Sequence, residues 1–303
     1  MEETVLRFPV IAEQIFDQLD DQNLTKCRGI SKTLHGATER LLWTRKIQKL
    51  TKENKNHQIS WKSVLVQIPI ELLKKLVLTC EEYHFSSISR WQHSPLHTAA
   101  FGGNLQLFEY IYEKSKDKNP KGSMGETPFH TAAGHGSLEI LEFILERAEV
   151  KNPEDGNGWT PLHHAAAEGH LEICKLICEN ASNLNSKSNE DFDNGMTPLH
   201  QAAIEGYLDI CKLLVSKVED KNPFDKEGFT PLHAAAREGN LQMYKFIAER
   251  VENKTPADSN GETPLSLATK KGHEEICRLI YSYIKRQRNQ TLSNPVKKRC
   301  KKK

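Results

Sequence analysis

Thr160-Pro161-Leu162-His163-His164-Ala165-Ala166-Ala167-Glu168-Gly169 is the stretch on which the reading of this chain turns, because it recurs. A Thr or Ser followed by Pro, a large apolar residue and His begins at Ser94, Thr127, Thr160, Thr197 and Thr230, and a variant, Thr-Pro-Leu-Ser, begins at Thr263. The steps between starts are 33, 33, 37, 33 and 33 residues. Nine residues after each start stands Gly103, Gly136, Gly169, Gly206, Gly239 or Gly272, and four further on Leu107, Ile140, Ile173, Ile210, Met243 or Ile276. Three residue classes agreeing over six copies define an internal repeat. Each class has a physical reason. Thr caps a helix with its hydroxyl, and Pro at the first helical position gives up an N–H that has no intrahelical partner anyway. Small pairs such as Ala132-Ala133 and Ala202-Ala203 let this short helix lie close to a neighbour. The glycine ends it in the left-handed region. A second helix follows with apolar residues at i, i+3 and i+4, as in Ile210, Leu213 and Leu214. Turn residues such as Asp155-Gly156-Asn157-Gly158 then suit a tight hairpin finger. One such unit cannot bury its apolar face alone, so stacking must supply the core.

These residues resemble the ankyrin repeat, whose period and Thr-Pro-Leu-His signature they share. The resemblance spans 92–283 and implies an all-α solenoid of six helix-turn-helix units with hairpin fingers. Copy one departs with Ser94 for Thr and Gln92 where Gly is usual. Copy four follows a four-residue insertion within Asn185–Gly195, which the period places in a finger. Copy six has Ser266 for His and Lys270-Lys271 before its glycine, as a polar capping repeat would. Residues 51–91, with the amphipathic run Ile70–Val77, read as a helical connector or a degenerate N-terminal cap.

Residues 1–50 obey another rule. Ile11, Ile15, Phe16 and Leu19, then Leu24, Cys27, Ile30 and Leu34, suit short helices parted by Asp20-Asp21-Gln22-Asn23. With Phe8-Pro9 at the opening, Ile30-Ser31-Lys32 and Leu42-Trp43, the segment resembles the F-box, a three-helix module that docks on the Skp-type adaptor of cullin–RING ubiquitin ligases. It departs by being one residue short between Pro9 and Ile15 and by Leu34 in place of a frequent Trp. The resemblance implies that Phe8, Pro9, Ile15, Phe16, Leu19, Leu24 and Ile30 face the adaptor. Some of these must also build the module's own small core, and the sequence does not divide the two roles. The other reading of this segment is a plain helical cap on the stack.

Nine Lys or Arg and no acid fall within 285–303, so residues 1–284 hold 33 basic against 40 acidic side chains. An acidic body with a basic end is not the profile of a compact nucleic-acid-binding fold, and nucleic acid is not the expected partner. Lys285-Arg286, ten residues, then Lys297-Lys298-Arg299 resembles a bipartite nuclear-import signal, read by an importin. Such runs also serve nucleic acid or anionic lipid. Residues 284–303 are expected to form a disordered basic tail. Nothing approaches the ~18 consecutive apolar residues of a membrane span. Met1-Glu2-Glu3-Thr4 lacks the basic-then-apolar profile of a signal peptide. Seven scattered cysteines then read as reduced thiols of an intracellular protein of nucleus or cytoplasm.

Chemistry is sparse. His97, His130, His163, His200 and His233 are one repeat position; their copies should lie ~10 Å apart, whereas metal ligands sit ~2 Å from a shared ion. The family resemblance gives them a hydrogen-bonding role. Cys174 and Cys178 have no second pair to complete a zinc site, and no phosphate-loop, dinucleotide, metalloprotease or serine-hydrolase motif occurs. The expectation is a non-enzyme with no metal or cofactor. The resemblance instead directs attention to the concave groove of fingers and first helices. It places there Glu126, Trp159, Met196, Phe229 and Glu262, and beside them Ala167-Glu168, Ile204-Glu205, Arg237-Glu238 and Lys270-Lys271. Trp159, Met196 and Phe229 either form an apolar hot spot or merely cover the next finger. Glu168, Glu205 and Glu238 make an acidic row, suited to a protein segment with an apolar anchor and basic residues. Joined to the N-terminal module, the groove reads as the substrate-binding end of a ubiquitin-ligase receptor. The alternative is an ankyrin scaffold or nuclear regulator without ligase association.

Overall fold

The computed structural model describes residues 94–293. The residues expected to face an adaptor (Phe8, Pro9, Ile15, Phe16, Leu19, Leu24 and Ile30), the expected connector 51–91, and Lys297, Lys298 and Arg299 lie outside the described residues. Among the described residues the chain forms helices and no strand. In order these are α1 (Pro95–Gly102), α2 (Leu105–Lys114), α3 (Pro128–Gly134), α4 (Leu138–Arg147), α5 (Pro161–Glu168), α6 (Leu171–Asn180), α7 (Glu190–Asp193), α8 (Pro198–Glu205), α9 (Leu208–Lys217), α10 (Pro231–Arg237), α11 (Leu241–Ala248), α12 (Pro264–Lys271) and α13 (Glu274–Ser293). By backbone contacts α2 and its flanks, 104–118, belong to one compact unit, and 94–103 with 119–293 make up another.

Every first helix begins in the way its sequence dictates. Thr160 is extended at φ −104°, Pro161 follows, and the Thr160 N–H donates to Nδ1 of His163 at 3.0 Å. The same cap forms at Thr127, Thr197 and Thr230. In the last repeat Ser266 does the work of His, its hydroxyl accepting from Thr263 N–H at 2.8 Å. Gly169 ends α5 at φ +81°, and a Cβ there would lie 2.6 Å from the Tyr207 ring, so the turn needs both the left-handed backbone and the missing side chain.

The hairpins α3–α4, α5–α6, α8–α9, α10–α11 and α12–α13 stack in two layers. First helices meet first helices through Ala132, Ala133, Ala165, Ala166, Ala202, Ala203, Ala235 and Ala236, all with no exposed surface. Second helices meet through Ile140, Ile173, Ile210 and Met243 with Leu141, Cys174, Cys211 and Tyr244. Each fully buried Leu or Ile contributes roughly 1.5–3 kcal/mol, and almost all of that burial needs a neighbouring hairpin. α2, in the other unit, is capped by Asn104, whose Oδ1 accepts from Leu107 N–H at 2.9 Å.

One expectation is corrected. Residues 284–293, expected to be disordered, continue α13 to Ser293. No Gly or Pro interrupts the chain between His273 and Pro295, so no helix breaker stops α13 before Ser293. Among the described residues no helix is long and apolar enough to cross a membrane.

Candidate functional site

Fingers close on themselves and then on each other. Asp155 N–H donates to Trp159 O at 2.8 Å, and Asp155 Oδ1 accepts the N–H groups of Asn157 and Trp159. Asp225 and Asp258 repeat this turn. Burial works against the charge of Asp155, but His164 and the two N–H donors outweigh it and hold the carboxyl below its ordinary range. One backbone bond links each fingertip to the preceding one: Gly156 N–H to Met124 O, Asn189 to Asn157, Lys226 to Asn194 and Ser259 to Glu227, at 2.7–2.8 Å.

The repeated histidines tie these fingers to the helices. Nδ1 accepts the Thr or Ser N–H, which leaves the proton on Nε2. Nε2 then donates to the carbonyl of the residue before the next Thr: His97 to Glu126, His130 to Trp159, His163 to Met196, His200 to Phe229 and His233 to Glu262, at 3.0–3.2 Å. These carbonyls belong to the very residues expected in the groove, so each histidine sets how one of those side chains is presented. Burial pulls the rings down to about 4 at His130, about 3 at His163 and about 4 at His200, and they stay neutral. Among the described residues no group of three His, Cys, Asp or Glu is placed to hold a metal ion. Burial pushes the thiols of Cys178 and Cys211 up to about 11 and 12, and that of Cys174 up as well, so none of the three is poised as a nucleophile.

Trp159, Met196 and Phe229 are half-buried on successive fingers, and Glu168, Glu205 and Glu238 are exposed at the ends of α5, α8 and α10. Trp159 does cover the next finger: its indole N–H donates to Asp193 Oδ2 at 3.1 Å. Gln201 donates to the same oxygen at 2.9 Å. Burial raises the Asp193 carboxyl, and the bonds from Trp159, Gln201 and Ser188 only partly offset it. Ile204 and Arg237 are partly exposed. Arg237 lies 5.0 Å from the Phe229 ring centre and pairs with Glu238 at 2.7 Å. Glu126 turns back into its own finger, accepting from Met124 N–H at 2.8 Å. Glu262 pairs with Lys270 at 2.5 Å, which with Ser266 holds its carboxyl low. Lys285 and Arg286 are exposed on α13.

Sequence reasoning missed Asp193, Gln201 and Lys187. The insertion carries α7, and Lys187 at its base reaches Phe224 O in the following finger at 2.8 Å. An inserted residue has no repeat counterpart, so periodicity gave no signal at Asp193 or Lys187, and Gln201 stands at a repeat position whose residue type varies from copy to copy (Thr98, Thr131, His164, Ala234, Leu267).

A search of curated protein sequences returned no match. The family model described as ankyrin repeats matches in three copies, at residues 66–155, 146–225 and 218–291.

Proposed function

Because the chain belongs to the ankyrin-repeat family, whose repeats serve protein binding, we propose that it is a substrate receptor, holding a target on the face of fingers and first helices while residues 1–50 engage a Skp-type adaptor of a cullin–RING ubiquitin ligase. The observation that carries the binding half is the row of exposed Glu168, Glu205 and Glu238 at the C-terminal ends of α5, α8 and α10, beside half-buried Trp159, Met196 and Phe229. Rigid helices present these side chains, which lowers the ordering entropy a partner must overcome. The adaptor half is supported by the order of Phe8-Pro9, Ile15-Phe16, Leu19, Leu24 and Ile30 in the sequence. A receptor of this kind works by raising the local concentration of target near a ubiquitin-loaded enzyme, and needs no catalytic residue or cofactor of its own. Lys285-Arg286 and Lys297-Lys298-Arg299 are proposed to serve importin-dependent entry to the nucleus.

Co-expression with a Skp-type adaptor tests the proposal. Stable co-purification, lost in the Pro9→Ala/Phe16→Asp variant, is the expected result. Adaptor-free chain under all conditions favours the scaffold alternative, in which the repeats bind a partner without a ligase.

A further inference from the structure

Equivalent positions of successive repeats differ in whether the chain supplies a cation beside the finger. At the fourth described finger the chain supplies its own cation: Arg237 stands over Phe229 at 5.0 Å and pairs with Glu238. In the next repeat Lys270 plays the same part, pairing with Glu262 at 2.5 Å. Moving the other way along the stack, the position of Arg237 is held by Ile204 and then by Ala167. Trp159 with Glu168, and Met196 with Glu205, therefore offer an apolar or aromatic surface and an exposed acid to which the described residues supply no Lys or Arg at the position of Arg237. Glu168 and Glu205 make no ion pair among the described residues. The half-buried Asp193 carboxylate, held by the neutral donors Trp159 and Gln201, adds negative charge between these two positions.

We infer that this pair of positions takes two arginine side chains of a partner protein, each placed as Arg237 is placed in the next repeat. The inference rests on the proposed binding of protein targets to this face. Arginine suits the site better than lysine because its planar head stacks on an indole while its N–H groups reach a carboxylate. The two guanidinium groups must be one repeat apart, about 8–10 Å, the spacing of packed helices. In a β-strand, side chains three residues apart point to opposite faces, so no strand spacing near 10 Å keeps both on the surface. A polyproline-type segment rises ~3.1 Å per residue with three residues per turn, so arginines three residues apart lie ~9 Å apart on one edge. An α-helix needs arginines seven residues apart to reach ~10 Å on one face, whereas the polyproline-type segment needs only three, so the shortest segment that fits is extended, with Arg-x-x-Arg at its centre.

The test uses the full chain and a fluorescent ten-residue proline-rich peptide bearing Arg-x-x-Arg, with a matched peptide in which both arginines are glutamine, read by anisotropy. The arginine peptide is expected to bind at least tenfold tighter, and Ala167→Arg/Ile204→Arg, which installs the chain's own cations, to abolish that advantage. Thermal unfolding of this variant should match the parent, since both positions reach the surface. Equal binding of the two peptides, with both released by Trp159→Ala, overturns the arginine inference but leaves the face a protein-binding one. Failure of both peptides to bind with any dependence on Trp159 overturns the face as well. A chain truncated after Ser293 that binds the arginine peptide tenfold tighter than the full chain would make its own tail the occupant, and overturn a separate partner.

Discussion

A histidine that accepts a backbone N–H at one nitrogen and donates to a carbonyl at the other is fixed as the neutral tautomer. His130, His163 and His200 are held so, with burial pulling them down to about 4, 3 and 4. The unfolded chain takes up protons at these rings below about pH 6.5 while the folded chain does not. Stability is therefore complete above pH 6.5 and falls as pH drops towards 4, by up to ~1.4 kcal/mol per histidine per pH unit. Urea midpoints measured from pH 6.5 to 5, above most carboxylate titration, should fall steeply. His200→Leu should flatten that slope by nearly one proton and cost about 2–3 kcal/mol at pH 7, since Thr197 N–H and Phe229 O lose a buried partner. An unchanged slope would mean the ring is already protonated in the native state. The hydrogen-bonding role of these histidines was legible through the ankyrin resemblance, and their five copies at one repeat position are inconsistent with convergence on a metal. The partner of each was not legible: a carbonyl contact 29 residues ahead, or 33 at His163, leaves no mark on residue type.

At the scale of the element, the inserted finger shows what a broken period costs. Asn152 and Asn222 accept the N–H of Leu162 and Leu232 through Oδ1, at 3.2 and 3.1 Å, bracing the start of the first helix from the base of the finger. Asn185 occupies the corresponding place before the insertion, but its Oδ1, like Ser186 Oγ, is buried without a hydrogen-bond partner. Four extra residues have moved the brace out of register. Asn152→Ala and Asn222→Ala should each destabilise the protein by about 1–2 kcal/mol in chemical denaturation, while Asn185→Ala should be nearly neutral. Equal losses at all three sites would contradict this account. The place of the insertion was readable from the 37-residue step. Its fold was not, because α7, Asn194 at φ 52° and the anchoring of Trp159 by Asp193 depend on contacts made once among the described residues. The continuation of α13 to Ser293 is masked in the sequence for a different reason: its basic, polar composition matches a solvated tail, while the absence of Gly and Pro before Pro295 permits a helix.

Across the stack, burial is uneven. α8 buries Pro198, Leu199, His200, Gln201, Ala202 and Ala203, whereas α12 buries only Pro264 and Ala268. In an array held by nearest neighbours, the poorly covered end opens first. Amide exchange should accordingly be at least about tenfold faster over 264–271 than over 198–205, and uniform protection would argue against repeat-wise opening. Six copies made the architecture readable because each residue class was sampled repeatedly. The division that sets 104–118 apart from 94–103 had no such redundancy behind it.

A surface that repeats has a weakness as a recognition device: a guest that fits one step also fits the next, and is free to dock a notch too far along. The extra turn of chain between Lys187 and Met196 occurs at a single point, bridging Trp159 on one side and Phe224 on the other. It serves as an index mark on an otherwise uniform ruler, giving a visiting protein one frame in which to settle.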